Sequence, residues 1–162
     1  MKSDKIYTYD KMIQKCLEME KDEKPYLLTN GCFDILHVSH VNNLKQCKLY
    51  NVPVVVFLND DESIKKLKGA NRPYYSLEER LFIISSIMYV DYVAPLHSTE
   101  LCEIFKKIKP TYWAKGSDRN LETLNQKERY LAEKNNTKIV FIKNLSDIST
   151  SEILHKIHKE NI

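Results

Sequence analysis

No stretch of this 162-residue chain approaches the ~20 consecutive apolar residues that a helix needs to cross a bilayer. The opening MKSDKIYTYDK lacks the apolar core of a signal peptide. Cysteine is sparse and scattered: Cys16, Cys32, Cys47 and Cys102 show no C-x-x-C spacing, which argues against a zinc or disulfide framework and for reduced thiols. A large excess of either charge sign is also missing. A net charge of +3 is too small to argue for nucleic acid or an anionic membrane as partner. Internal repeats, low-complexity tracts and linkers long enough to separate domains are absent too. The expectation is a single globular domain in the cytoplasm.

What the chain does have is alternation. Tyr9 to Lys21 sets Met12, Ile13, Cys16 and Leu17 at helical spacing, an amphipathic helix. Apolar runs then recur as candidate strands at Tyr26–Thr29, Val52–Leu58, Tyr92–Ala94 (ended by Pro95), Tyr112–Ala114 and Lys138–Ile142. The second is almost continuously apolar, as in a strand covered on both faces. Helical patterns lie between them. Ser63 is a possible start to a short helical turn, and Ile64 to Arg80, basic and broken by Gly69 and Pro73, reads as a loop before a helix. That helix opens at Ser76, where Ser76-x-x-Glu79 fits a capping box. Further helices are expected over Leu101–Ile108, Asn125–Lys134 and after Ser149-Thr150-Ser151. The fold class that follows is α/β: a Rossmann-like parallel five-stranded sheet with helices on both faces. Its ligand crevice would lie at the C-terminal ends of the strands.

The chemistry gathers in Tyr26 to Tyr50. An apolar run breaks at Asn30-Gly31, a turn-favouring dipeptide, and a helical pattern resumes at about Ser39. Strand, tight turn and helix start leave unpaired backbone N–H groups converging on one point, a geometry that suits phosphate. His37 and His40, three apart at that helix start, would share a side. Each could also be a mere cap or surface residue.

In full, GCFDILHVSH resembles the G-x-F-D-x-x-H-x-G-H signature of the nucleotidyltransferase family that includes the cytidylyltransferases. Ser39 is its one mismatch, standing where the pattern has glycine. The resemblance covers about residues 5–158, with 1–24 expected as a helical lead packed on a nucleotidyltransferase domain at 25–162. It implies transfer of a nucleoside monophosphate from a nucleoside triphosphate to a phosphorylated sugar or polyol, with release of pyrophosphate and with Mg2+ on the triphosphate. No resident metal site is expected, and homodimers are common in the family.

By the same resemblance His37 and His40 would stabilise the transition state, with Lys68 as a third catalytic residue. Gly31, Cys32 and Phe33 would line the nucleotide site, together with Arg80, with Lys115, Gly116 and Asp118, and with Ile148, Ser149 and Thr150. Asp34, Asn59 and Arg72 would face the acceptor. Ser117 and Arg119 replace a glycine and an aromatic residue of the family's V-K-G-G-D-Y segment, so the base pocket departs from the pattern.

N-D-D-x-S-x-x-x-L-K-G-x-x-R-P followed by L-E-E-R resembles one branch, the adenylyltransferase domain of ADP-heptose synthesis. The glycerol- and choline-phosphate cytidylyltransferases carry an arginine in R-T-x-G-I-S-T and another in R-Y-V-D-E-V. Here Asn144-Leu145-Ser146-Asp147 and Met88 stand in those segments. The implied reaction is ATP with D-glycero-β-D-manno-heptose 1-phosphate to ADP-heptose. Alternatives are a cytidylyltransferase making a CDP-polyol such as CDP-glycerol, or a nucleotide-binding module without turnover.

Overall fold

Five apolar runs become five strands: β1 (Leu27–Gly31), β2 (Val54–Asn59), β3 (Tyr92–Leu96), β4 (Tyr112–Gly116) and β5 (Lys138–Ile142). The computed structural model describes residues 2–116, 120–143 and 153–154. All strands run parallel in the order β3-β2-β1-β4-β5. Every connection is therefore a crossover, and each carries helix: α2 (Val38–Lys48), α3 (Asp61–Lys68) and α4 (Leu77–Ser85), α5 (Cys102–Lys107), and α6 (Gln126–Lys134). A further helix, α1 (Tyr9–Lys21), precedes β1.

The sheet is covered on both faces, as the expected fold class requires. Met12, Cys16 and Met19 of α1, Ile104 and Phe105 of α5 and Ala132 of α6 pack on Leu28, Phe57 and Trp113. On the other face Leu44 and Cys47 of α2 and Ile84 of α4 pack on Leu27, Val56 and Leu58. Neighbouring positions of β1 and β2 thus serve opposite cores, which is why β2 is buried along its whole length. Burial pushes the thiols of Cys16 and Cys47 up to about 12.

Several expected boundaries differ, each for a physical reason. Asn30 and Gly31 do not turn; they extend β1, because both find parallel partners in Phe57 and Leu58 of β2. Pro95 does not end its strand. It lies inside β3 at the margin of the five-stranded sheet, where a missing N–H costs no ladder bond to a further strand. Leu17 is exposed and Met19 takes its place in the core. The segment expected as a loop from Ile64 is helical as far as Lys68, capped by Asp60 rather than begun at Ser63. Gly69 then stops the helix at φ 103, ψ 163, a region open essentially to glycine alone. The capping box at Ser76 and Glu79 forms as expected and opens α4. Of the last expected helix only Ile153 and Leu154 are described, and both are helical.

Strand order reverses between β1 and β4: from β1 the chain steps to β2 and β3, then returns to β4 and moves on to β5. Crevices open at such switch points, beyond the C-terminal ends of the strands. Backbone pairing of β1 with β4 runs only from Leu27↔Tyr112 to Thr29↔Ala114. Past that point the two strands are joined by a side chain, Lys115 Nζ donating to Asn30 Oδ1 at 2.8 Å.

Candidate active site

The turn after β1 enters this opening. Gly31 brings the backbone close to the Phe33 ring: a Cβ there would lie 3.0 Å from Phe33 Cε2, so the ring would have to give by a few tenths of an ångström. Phe33 adopts φ 46, a left-handed conformation that reverses the chain, and its ring meets that of His40 at 4.9 Å between centroids. His37 is the extended N-cap of α2, so this helix begins at Val38, a residue earlier than the sequence suggests. Ser39 is therefore a buried residue of the first helical turn and not the cap. Its backbone is helical, so the missing glycine costs no backbone freedom.

His37 makes no capping bond with its side chain. Its ring stacks on His40 at 3.7 Å between centroids and 29° between planes. The two imidazoles thus share one side of the helix start, as their spacing predicts. Burial first, and the neighbouring His37 second, push the pKa of His40 down to about 3. His40 is neutral at pH 7, a backbone bond to Ile35 opposes the shift without reversing it, and the ring sits at the positive end of the α2 dipole.

The acceptor-side expectations fare differently. Asp34 is buried and already engaged: its carboxylate pairs with the Arg72 guanidinium and accepts the Tyr74 backbone N–H at 2.7 Å. Arg72 in turn lies over the Tyr74 ring, 4.7 Å from its centroid. Asn59, also buried, donates through Nδ2 to the Ser98 carbonyl at 2.7 Å. In this conformation these three side chains bind one another or the protein frame.

Arg80 is the largest departure from expectation. Read as a nucleotide contact, it is fully enclosed in the structure and its guanidinium is spent on protein groups. Nη1 donates to the carbonyls of Cys32 and Asn59, each at 2.8 Å, Nε to that of Tyr75 at 3.0 Å, and Nη2 to Asp61 Oδ1 at 2.6 Å. Burial raises the Cys32 thiol, and the charges of Lys68, Arg80 and Arg72 oppose that rise. Lys68 lies at the exposed C-terminal end of α3.

Lys115 and Gly116 end β4 across the opening, the Lys115 ammonium also lying 4.8 Å from the Trp113 ring centroid. Asp118, Ile148, Ser149 and Thr150 lie outside the described residues. Among the described residues no group of three or more His, Cys, Asp or Glu side chains is placed to hold a metal ion. Nor is any helix there long and apolar enough to cross a membrane. Sequence reasoning missed Asn30 and Asp61. The register of β1 against β4 points to Asn30; Asp61 is signalled only by its place in the first turn of α3.

Residues 28–156 match the family model described as cytidylyltransferase-like. The chain belongs to the cytidylyltransferase-like family. Among its curated relatives, the bifunctional protein HldE of Desulfatibacillum aliphaticivorans is 34% identical over 139 residues, 86% of this chain and 28% of that one. HldE of Helicobacter hepaticus is 37% identical over 136 residues, 84% of this chain and 27% of the relative. The chain thus spans about a quarter of the length of the curated relatives it matches. Among solved structures, the lipopolysaccharide core biosynthesis protein from Thermoplasma volcanium superposes with a TM-score of 0.61 at 22% identity. That superposition covers 77% of this chain and 98% of the other, and it shows the common fold.

Proposed function

We propose that this cytidylyltransferase-like domain is an adenylyltransferase that joins the AMP moiety of ATP to a sugar 1-phosphate and releases pyrophosphate. The best-fitting acceptor is D-glycero-β-D-manno-heptose 1-phosphate. The observation that carries the reading is the stacked His37–His40 pair at the start of α2, beside the switch-point opening. The heptose branch is supported by the basic segment ending in Lys68-Gly69, by the missing arginines near residues 88 and 147, and by relatives bearing the name HldE.

In the reaction an acceptor phosphate oxygen attacks the α-phosphorus. A new P–O bond forms, the bond to the bridging oxygen of the β-phosphate breaks, and pyrophosphate leaves with that electron pair. The nucleophile is already anionic, so no general base is required. What the chain must supply is alignment of two anions and stabilisation of the charge that develops on the α- and β-phosphates. His37 and His40 would donate ring N–H bonds to that charge, supported by the α2 dipole. Lys68 and Lys115 would add positive charge from the two sides of the opening. Mg2+ would arrive with the triphosphate and neutralise some of its charge. The carboxylate of the turn, Asp34, is taken by Arg72 and Tyr74, which agrees with a metal held mainly by substrate. A homodimer belongs to the same reading, on family grounds.

The test is pyrophosphate release with Mg2+ from ATP and CTP separately, against heptose, hexose and polyol phosphates. Release from ATP with a heptose 1-phosphate is the expected result, and His37→Ala should abolish turnover while nucleotide still binds. Release from CTP alone would establish the polyol-phosphate alternative. Nucleotide binding without turnover on any pair would leave a binding module.

A further inference from the structure

Arg80 joins four separate segments: the turn after β1 through Cys32, the end of β2 through Asn59, the start of α3 through Asp61, and the approach to α4 through Tyr75. A buried charge is a poor source of stability by itself, but its bonds can fix a geometry. The geometry fixed here is that of a peptide plane. With the Cys32 carbonyl directed into Arg80, the trans peptide turns the Phe33 N–H the opposite way. Phe33 itself is in the left-handed conformation, so successive N–H groups of this turn are set by that one plane. The second fastening is Asp34, which holds Arg72 and the Tyr74 N–H. Residues 32–34 and 72–75 are thus tied together twice, and Arg80 also ties them to the base of the helix that carries Lys68.

From this we infer that Arg80 is a positioning residue, not a ligand of the nucleotide: it orients the phosphate-binding turn and registers α3 against it. The inference rests on the nucleotidyltransferase reading for what the turn binds. It makes an opposite-sign prediction at Asp61, the carboxylate that pairs with Arg80 at the edge of the site. If Arg80 were a phosphate ligand, Asp61 would compete with the nucleotide for it, and Asp61→Asn would tighten binding. If Arg80 is a positioning residue, Asp61→Asn loosens the frame and weakens binding.

The experiment measures Mg-ATP and Mg-CTP affinity by calorimetry for wild type, Asp61→Asn, Arg80→Lys and Arg80→Met. Backbone hydrogen exchange is followed in parallel over residues 31–36 and 70–76. Asp61→Asn should weaken binding about three- to tenfold, a part of the worth of one charge-assisted hydrogen bond, because the amide oxygen can still accept from Arg80. Arg80→Lys should lose at least as much as Arg80→Met within a factor of about two, because an ammonium keeps the charge but cannot span three carbonyls. Exchange should rise in both segments together. Tighter or unchanged binding in Asp61→Asn, or near-wild-type binding in Arg80→Lys with loss in Arg80→Met, overturns the inference. Unfolding of the Arg80 variants leaves Asp61→Asn, a milder change, to decide. Wild type that binds neither nucleotide would refute the transferase reading instead, and exchange would then decide: joint loosening supports the tie, loosening of neither or only one segment refutes it.

Discussion

At the scale of single residues the decisive feature is a neutral histidine placed where an anion is expected. His40 has a folded pKa near 3, through burial and then through the charge His37 would carry. An unfolded chain titrates histidine near 6.5. Between those two values the unfolded state holds more protons, so stability falls as pH drops from about 6.5 toward 3 and is insensitive to this group above 6.5. The slope approaches about 1.4 kcal/mol per pH unit. Urea denaturation should therefore show wild type losing about 2 kcal/mol more than His40→Gln between pH 7.5 and 5. Equal losses would mean that His40 is not desolvated as described. A bound triphosphate favours the imidazolium, so nucleotide binding at pH 5.5 should take up protons, read as a dependence of calorimetric heat on buffer ionisation enthalpy. The histidine pair was legible in the sequence because spacing dictates it: three residues put two rings on one side, whereas Gly31 was read as a turn and proves to be the last residue of β1. Arg80 was not legible as a frame residue. Three of its four partners are backbone carbonyls, which carry no residue signature, and its burial depends on segments up to 48 positions away.

Among the elements, α3 is the one that sequence reasoning lost. Its eight residues hold one buried aliphatic side chain, Ile64, and three exposed lysines, so no apolar stripe stands out from Gly69 and Pro73 downstream. What makes it a helix is its ends. Asp60 accepts the Ser63 N–H at 2.8 Å and faces His97 Nδ1 at 3.0 Å, while Gly69 closes the C-terminus. Burial alone would raise the Asp60 carboxyl, but the bonds from Ser63 and His97 outweigh it and hold it below the ordinary range. So short a helix depends on its cap. Asp60→Ala should cost about 1 kcal/mol of stability, read as a lowered urea midpoint. It should also raise the KM for nucleoside triphosphate, because Lys68 sits at the far end of the same helix. A lowered midpoint with KM unchanged would remove Lys68 from the site. By contrast the existence and type of β2, α1 and α4 were legible, since a continuous apolar run, an amphipathic period and a capping box are each local signals, although β2 starts at Val54 and α1 buries Met19 in place of Leu17. Pro95 misled for the opposite reason, because whether a missing N–H matters depends on which strand stands at the margin of the sheet.

For the molecule as a whole, the arrangement separates a working side of the sheet from a protected one. The switch point between β1 and β4 carries the candidate site, whereas β3, two strands away from β1, carries the margin. That margin is covered by the chain's own start: Tyr7 N–H donates to the Val93 carbonyl, Val93 N–H to that of Lys5, each at 2.9 Å, and Lys5 Nζ reaches the Val90 carbonyl at 2.8 Å. Ile6 thereby forms a parallel bridge with Val93, and the Tyr7 ring stands edge-on to Tyr92 at 5.6 Å. An uncovered strand margin offers unpaired N–H and C=O groups to a second chain. Removing residues 2–7 while keeping the helix from Thr8 onward should lose both backbone bonds, a cost of about 1–3 kcal/mol. It should also promote self-association that grows with protein concentration, measured by light scattering. Nucleotide affinity per folded molecule should stay at the wild-type value, because none of the strapped groups belongs to the turn after β1, to α3 or to the end of β4. A fall in affinity that tracks the truncation, with the remaining protein still folded, would show instead that the two sides of the sheet are coupled through β2.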